Sequence, residues 1–360
     1  MRTDLFDYHL PPELIAQHPA EPRGASRLLV VDCESGKISH RRFSDLPEYL
    51  ERGDCAVFNR TRVRRARLRG KKAGTGGGVE LLLLSRDRGG EWEALARPAR
   101  RLRPGARVVF GRGELEAEVL EVREEGRIRV RLSPGEAELQ EELVERLGEV
   151  PLPPYIREKL ADPERYQTVY AAETGSAAAP TAGLHFDHRA MEELERRGVT
   201  LAFLRLDVGL DTFRPIATEE LEGHRMHREE LEVDAAACEA VNAARGRGGR
   251  VLAVGTTVVR ALESAAGEGG LEPYRGPTEL FIAPGHRFRA VDLLLTNFHL
   301  PRSTLLVLVC AFAGRELVLK AYREAVEARY RFLSFGDACL FLYPHGWREP
   351  PCCSPPGPCL

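Results

Sequence analysis

The sequence predicts an α/β protein: a main α/β domain with a mixed sheet, plus an inserted small β-barrel domain. Three observations lead there. From Asp187 onward helix-like and strand-like stretches alternate, as an α/β layer requires. Between residues 68 and 150, short strand-like stretches are separated by Gly-rich or Pro-Gly breaks, the pattern of a small barrel or sandwich. Pro151-Leu152-Pro153-Pro154 then forms an extended connector back to the main body. The expected boundaries are 1–67 with 151–345 for a discontinuous α/β domain and 68–150 for the barrel. Residues 346–360, rich in Pro and Cys, read as a disordered tail.

In chain order, Arg27 to Asp32 is a strand, Glu34-Ser35-Gly36 a turn, and Ser44 to Glu51 a helix stopped by Gly53. Asp54 to Asn59 is a second strand. In the insert, strands are expected at Val79–Ser85, Glu91–Ala96, Arg107–Phe110, Leu115–Val122 and Arg127–Leu132, followed by an acidic helix from Glu136 to Leu147. Asp187 caps a helix that runs to Arg197 and ends at Gly198. Strand Val199–Val208, helix Ala235–Arg245 behind Asp234 and buried strand Arg250–Val254 follow. Gly255 then turns the chain into a helix ending near Ala266. Strands are expected at Thr278–Ile282 and Val291–Thr296. Ser303 caps a helix over Thr304–Ala313, Gly314 breaks it, Arg315–Arg329 is the last helix and Asp337–Tyr343 the last strand.

A hydrophobic fraction of 43% with 29% charged residues is that of a soluble globular chain. The opening MRTDLFDYHLPPEL is polar and broken by proline, unlike an export signal, and the longest apolar run, Thr304 to Ala313, is too short to cross a bilayer. Cys33, Cys55, Cys238, Cys310 and Cys339 stand singly in apolar stretches and read as reduced core thiols, so a cytoplasmic setting is expected. Cys352, Cys353 and Cys359 lack paired metal-ligand spacing, and no metal is expected. The net charge of −2 hides a strong local imbalance. In RTRVRRARLRGKK, from Arg60 to Lys72, eight of thirteen residues are basic, and Arg97, Arg100, Arg101, Arg103 and Arg107 form a second cluster. Such density suits phosphate contacts, and equally a solvated surface.

Four stretches carry chemistry. RYQTVYAAETGSAAAPTAGLHF, from Arg165 to Phe186, joins an aromatic and polar cluster to small residues and delivers His185 beside a helix N-terminus. Small side chains admit close approach of a ligand, and the helix end favours anions; a tight structural turn with His185 bonded in the core explains the same residues. VLAVGTTVVRALES, from Val251 to Ser264, turns a buried strand through Gly255, Thr256 and Thr257 into a helix with Arg260 one turn on. That geometry suits a carboxylate or phosphate, or is a plain capped turn. TNFHLPRST places Asn297, His299 and Ser303 in the loop beyond a buried strand, where ligands often bind. GHRMHREELEV holds His224, His227, Glu229 and Glu230 without a third metal ligand; His227 and Glu229 form an acid–base pair or a strand-face salt bridge. GTGGGVE has the wrong context for a dinucleotide loop, because it leads into a strand. No nucleophile elbow, Walker A sequence, kinase set or paired CxxC is present.

Taken in order, FDYHLPPELIAQHP, VFNRTRVRRARLRG, WEALARPARRLRPG, VPLPPYI, RYQTVYA, PTAGLHF, VGLDTFRPI, VLAVGTTVVRALES, APGHRFRAVDLLLTNFHLPRSTLLVLVCAFAG and YRFLSFGDA resemble the S-adenosylmethionine:tRNA ribosyltransferase-isomerase family of queuosine biosynthesis. The resemblance runs nearly end to end and implies the same architecture, an α/β catalytic domain with an inserted barrel. It implies transfer and isomerisation of the ribosyl moiety of S-adenosylmethionine onto 7-aminomethyl-7-deazaguanine in a tRNA anticodon. Adenine and methionine leave, and the product is epoxyqueuosine. S-adenosylmethionine is then a co-substrate, with no permanently bound cofactor, no membrane and no obligate protein partner; the chain is expected to be a monomer.

On this reading His185 leads the acid–base candidates, with His299 second, His227 third, and Asp207 a substitute where the family usually has His. Co-substrate binding is expected from Tyr166, Thr181, Gly183, Phe186, Gly255, Thr256, Thr257, Arg260 and Asn297. Of these, Thr256, Thr257 and Arg260 would hold the methionine carboxylate, while Tyr166 and Phe186 would stack on a base. Asn59, Arg62, Arg67, Arg100 and Arg101 would contact tRNA. Asp207, Asp211 and Arg228 stand where the family usually has His, Gly and Ser. An S-adenosylmethionine-dependent RNA methyltransferase and a non-catalytic tRNA-binding relative are the alternatives.

Overall fold

The computed structural model describes residues 1–87, 89–209, 215–226 and 228–343. The chain forms two compact units, one of Met1–Arg62 with the chain from Pro153 onward, the other of Val63–Leu152. The strands are β1 (Arg27–Asp32), β2 (Ile38–Arg42), β3 (Cys55–Asn59), β4 (Thr61–Val63), β5 (Arg67–Lys72), β6 (Gly78–Arg86), β7 (Trp92–Arg97), β8 (Arg107–Phe110) and β9 (Leu115–Val122). They continue with β10 (Arg127–Ser133), β11 (Glu173–Ser176), β12 (Thr200–Leu206), β13 (Glu229–Val233), β14 (Val251–Val254), β15 (Tyr274–Thr278), β16 (Leu293–Asn297) and β17 (Ala338–Leu342). The helices are α1 (Ala137–Leu147), α2 (His188–Arg196), α3 (Ala235–Gly246), α4 (Thr256–Ala265), α5 (Thr304–Ala313) and α6 (Arg315–Glu327).

The first unit is a mixed nine-stranded sheet in the order β15-β13-β12-β3-β14-β16-β17-β1-β2. Its centre is parallel: β12 with β3, β3 with β14, and β14 with β16. Parallel strands are covered on both faces, so they read as unbroken apolar runs; β3, β14 and β16 are buried at every residue. Alternation still sorts the side chains. Cys55, Val57, Val251, Ala253 and Leu294 join the core under α3, α4, α5 and α6. Ala56, Phe58, Leu252, Val254, Leu293 and Leu295 face the other way, towards Leu194 of α2 and Phe43 and Leu46 of a 3-10 helix. Each large side chain so buried contributes roughly 1.5–3 kcal/mol.

Side-chain caps begin the helices where the sequence predicts. Asp187 accepts the Ala190 amide at 2.8 Å, Asp234 the Ala237 amide at 2.8 Å, and Ser303 the Leu306 amide at 3.2 Å. Two expectations are corrected. The segment Ser44–Glu51 is a 3-10 helix over Phe43–Tyr49, because Pro47 inside it removes a donor. The strand placed at Thr278–Ile282 ends at Thr278 and begins at Tyr274, pairing antiparallel with β13. The basic run after Arg60 is in large part strand: β5 buries Leu68 and turns Arg67, Arg69 and Lys71 outward.

The second unit is a closed six-stranded antiparallel barrel, β10-β7-β6-β5-β8-β9, with α1 following it. Leu68, Leu81, Leu83, Trp92, Phe110, Leu115, Val119, Ile128 and Val130 fill it. The outer face is charged because every second residue points there; β10 alternates Arg127, Arg129 and Arg131 with buried neighbours. Among the described residues no helix is long and apolar enough to cross a membrane, and no group of three or more His, Cys, Asp or Glu side chains could hold a metal.

Candidate functional site

A cleft opens in the first unit beyond the carboxyl ends of the parallel strands. Crevices at that edge of an α/β sheet are where ligands bind. Val208 lines it just past β12, Gly255, Thr256 and Thr257 just past β14, and Thr296, Asn297 and His299 at the end of β16. Pro180, Thr181 and Ala182 come from the small-residue run, and Tyr155, Ser303 and Ser334 complete the polar lining. No lining residue among those described carries an acidic or a lysine or arginine side chain.

Most polar side chains of the lining are held by their neighbours. Thr181 Oγ1 donates to Asn297 Oδ1 at 2.8 Å, and Asn297 Nδ2 donates to the Leu333 carbonyl at 3.1 Å. The hydroxyls of Tyr155 and Ser334 share a hydrogen bond of 2.7 Å. His299 is 8% exposed; its Nε2 bonds to Thr296 Oγ1 at 2.8 Å, its amide donates to the Tyr322 hydroxyl at 3.2 Å, and the Tyr8 hydroxyl donates to its carbonyl. Burial pushes the His299 imidazole down to about 3, so it is neutral at ordinary pH. At the start of α4, Gly255 adopts φ of 100°, a conformation that favours glycine, and no side chain caps the helix. The Thr257 hydroxyl beside it is buried and has no partner among the described residues.

Of the co-substrate residues expected from sequence, Thr181, Gly255, Thr256, Thr257 and Asn297 line this cleft together with His299. The others do not. His185 is buried at the end of a 3-10 turn, with Nδ1 at 3.1 Å from the Ala182 carbonyl, Nε2 at 3.0 Å from the Gly336 carbonyl and its ring stacked on Phe43. Burial lowers its pKa as well. Phe186 is packed edge-on between Phe43 and Phe58 in the core, and Tyr166 is fully buried against Phe335, so neither presents a face to a base. Gly183 lies under the Tyr170 hydroxyl, where a Cβ would also come within 2.9 Å of Thr168 Cγ2. Arg260 is committed elsewhere: its guanidinium pairs with buried Glu229 and donates to the Leu280 carbonyl at 3.0 Å.

Asp207 accepts from Arg205 at 2.7 Å and from the Thr61 hydroxyl at 2.7 Å, an ion pair at the end of β12. Arg228 lies 3.5 Å from Glu230. His227, Asp211 and the 346–360 tail lie outside the described residues. The expected RNA contacts divide. Asn59 is fully buried; its amide donates to the Leu206 carbonyl at 2.8 Å and accepts from the amides of Leu206 and Thr61, so it ties β3 to β12 and offers nothing to RNA. Arg62 is paired with Glu164 at 2.8 Å, and Arg67 donates to the Leu152 carbonyl at 3.3 Å. Arg100 and Arg101, with Arg97 and Arg103, are exposed on the turn between β7 and β8. The cleft residues that sequence reasoning passed over are Tyr155, Thr296 and Ser334. The VPLPPYI stretch was the signal for the first; the other two come from stretches that read as strand end and turn.

Comparison with known proteins agrees with this architecture. Residues 3–341 match the model of the queuosine biosynthesis protein family. The chain is 57% identical over 343 residues to the S-adenosylmethionine:tRNA ribosyltransferase-isomerase of Moorella thermoacetica, covering 95% of this chain and all of that one. It is 54% identical to the protein of the same name from Acetivibrio thermocellus, over 94% of this chain and 99% of that one. The crystal structure of S-adenosylmethionine tRNA ribosyltransferase from Thermotoga maritima shares 39% identity and superposes with a TM-score of 0.54, over 94% of this chain and all of that one. With a match of this length to the family and such identity to its members, the chain belongs to the queuosine biosynthesis protein family.

Proposed function

We propose that this protein is an S-adenosylmethionine:tRNA ribosyltransferase-isomerase. It moves the ribosyl part of S-adenosylmethionine to the aminomethyl group of 7-aminomethyl-7-deazaguanine in a tRNA anticodon, releasing adenine and methionine and leaving epoxyqueuosine. The observation that carries the reading is the 57% identity to a ribosyltransferase-isomerase over its whole length. The cleft supports it: a lining at the strand ends without acidic, lysine or arginine side chains suits a sulfonium nucleoside, whose positive charge such cations would repel.

The chemistry sets what the cleft must supply. The sulfonium acidifies the adjacent 5′ carbon, so a positioned base removes that proton and starts the loss of adenine. The departing purine needs a hydrogen-bond donor, and the neutral aminomethyl nitrogen must be close to the opened sugar. Among the described residues His299 and Tyr155 are the titratable side chains bordering the cleft, and of the histidine candidates His299 replaces His185 as the first. His185, with both nitrogens facing backbone carbonyls, serves as a support for the Thr181–His185 turn.

The decisive experiment incubates the protein with S-adenosylmethionine and tRNA bearing the aminomethyl base and weighs the nucleosides by mass spectrometry. Conversion with stoichiometric free adenine and methionine is expected. A methylated nucleoside with S-adenosylhomocysteine would instead make it a methyltransferase, and an unaltered anticodon nucleoside would make it a binding protein.

RNA binding is assigned to the barrel unit through Arg97, Arg100, Arg101 and Arg103 on one exposed turn. Phosphate contacts release counterions, so affinity depends steeply on salt. Changing Arg100 and Arg101 together to Gln is expected to weaken tRNA binding and to flatten the plot of log Kd against log salt by about 1–2 units of slope. Filter binding at several salt concentrations checks it, and an unchanged slope removes these two residues from the interface.

A further inference from the structure

Resting on the proposed function, we infer that the start of α4 is the subsite for the carboxylate of the methionine arm, and that it uses neutral donors alone: the backbone N–H groups of Thr256 and Thr257 and the Thr257 hydroxyl. Three features meet there. The helix is ten residues long and begins at the cleft, so its unpaired N–H groups and their partial positive charge are directed into the lining. It has no side-chain cap, whereas α5, which starts at the same cleft, is closed by Ser303. Gly255, the residue in the cap position, carries no side chain that would occupy the place of an anion.

The independent observation is Thr257. It is only 8% exposed and lines the cleft, yet its Oγ1 has no hydrogen-bond partner among the described residues. A buried hydroxyl left unpaired costs free energy, and among the described residues with a buried unpaired side-chain atom Thr257 is the one that lines the cleft, so a ligand acceptor there would satisfy it. Arg260, the nearest cation on the same helix, does not line the cleft, and Glu229 already neutralises it. The carboxylate is therefore recognised by geometry, with two amides and one hydroxyl converging on it, and its charge is balanced by the sulfonium and ammonium of the same molecule. When the bond between the 5′ carbon and sulfur breaks and its electron pair passes to sulfur, the arm left in this subsite is methionine, which makes methionine a product inhibitor here.

The test is equilibrium binding by calorimetry, with S-adenosylmethionine, its decarboxylated form and free methionine as probes. The wild-type protein is expected to bind S-adenosylmethionine at least tenfold more tightly than the decarboxylated form. Thr257→Val, which keeps the shape and removes the hydroxyl, is expected to weaken S-adenosylmethionine and methionine in parallel by about tenfold. It should leave adenine binding unchanged, and Thr257→Ser should restore most of the affinity. Equal wild-type affinity for the carboxylated and decarboxylated forms overturns the inference whatever the variant does. So does a Thr257→Val protein that loses adenine affinity instead of methionine affinity. Because these are binding measurements, a protein that binds as described but leaves the anticodon base unmodified refutes the catalytic reading and not the subsite.

Discussion

His299→Ala is expected to lower kcat by 100-fold or more, with the Michaelis constant for S-adenosylmethionine changed only a few-fold. General acid–base groups contribute roughly 10²–10⁴ in rate, and this imidazole is the titratable side chain that borders the cleft among the described residues besides Tyr155. Its orientation is fixed on three sides, through Thr296 at Nε2, Tyr322 at the backbone amide and Tyr8 at the carbonyl. The pH profile separates this role from that of an ordinary histidine. A base with the usual pKa near 6.5 loses activity as the pH falls through that value. Burial holds His299 at about 3, so it is already neutral across the physiological range, and protonation removes it only as the pH approaches that value. The expected kcat/KM profile therefore has no acid limb near 6.5 arising from this residue. A limb there that vanishes in His299→Ala, or a variant with unimpaired turnover, contradicts the assignment. His185→Ala should behave differently, lowering stability through the lost Ala182 and Gly336 contacts while the folded fraction keeps most of its turnover.

Gly183→Ala is expected to destabilise the protein by about 3 kcal/mol, the upper part of the range for overpacked cores. The added methyl would overlap the Tyr170 hydroxyl and come within 3.0 Å of Tyr170 Cζ. Relief is difficult, because the Tyr170 ring is wedged between Phe58 at 5.0 Å and Phe203 at 5.8 Å, both part of the sheet face packed on α2. For a chain of this size the change amounts to a fall in Tm of about 4 °C. Calorimetry of the single variant and of Gly183→Ala with Tyr170→Phe provides the check. Removing the obstructing oxygen should recover part of the loss, and equal melting of wild type and Gly183→Ala would mean that the ring yields without cost. The same glycine stands in the turn that presents Thr181 to the cleft, so affinity for S-adenosylmethionine should fall with stability.

Much of the fold is legible because it is local. The Asp187, Asp234 and Ser303 caps, the stop at Gly314 and the buried strand ahead of Gly255 are each set by residues within a few positions of one another. The same holds for the loop residues Gly255, Thr256, Thr257, Asn297 and His299, since the end of a parallel strand must open onto the same edge of the sheet. Pro47 is also visible in the sequence, but a proline-interrupted segment is hard to tell from an ordinary helix when burial is unknown.

By itself the sequence determined the two-part architecture, the cap and turn positions, and the family, because hydrophobic period, small-residue loops and motif order are all written along the chain. Only the tertiary structure decided which side chains face the cleft. Asn59 is consumed by Leu206, 147 positions away, and His185 by Gly336, 151 positions away, while Arg260 is drawn to Glu229, 31 positions away. A polar side chain is free for chemistry only when no distant segment has already satisfied it, and those partners are brought into reach by packing, not by spacing.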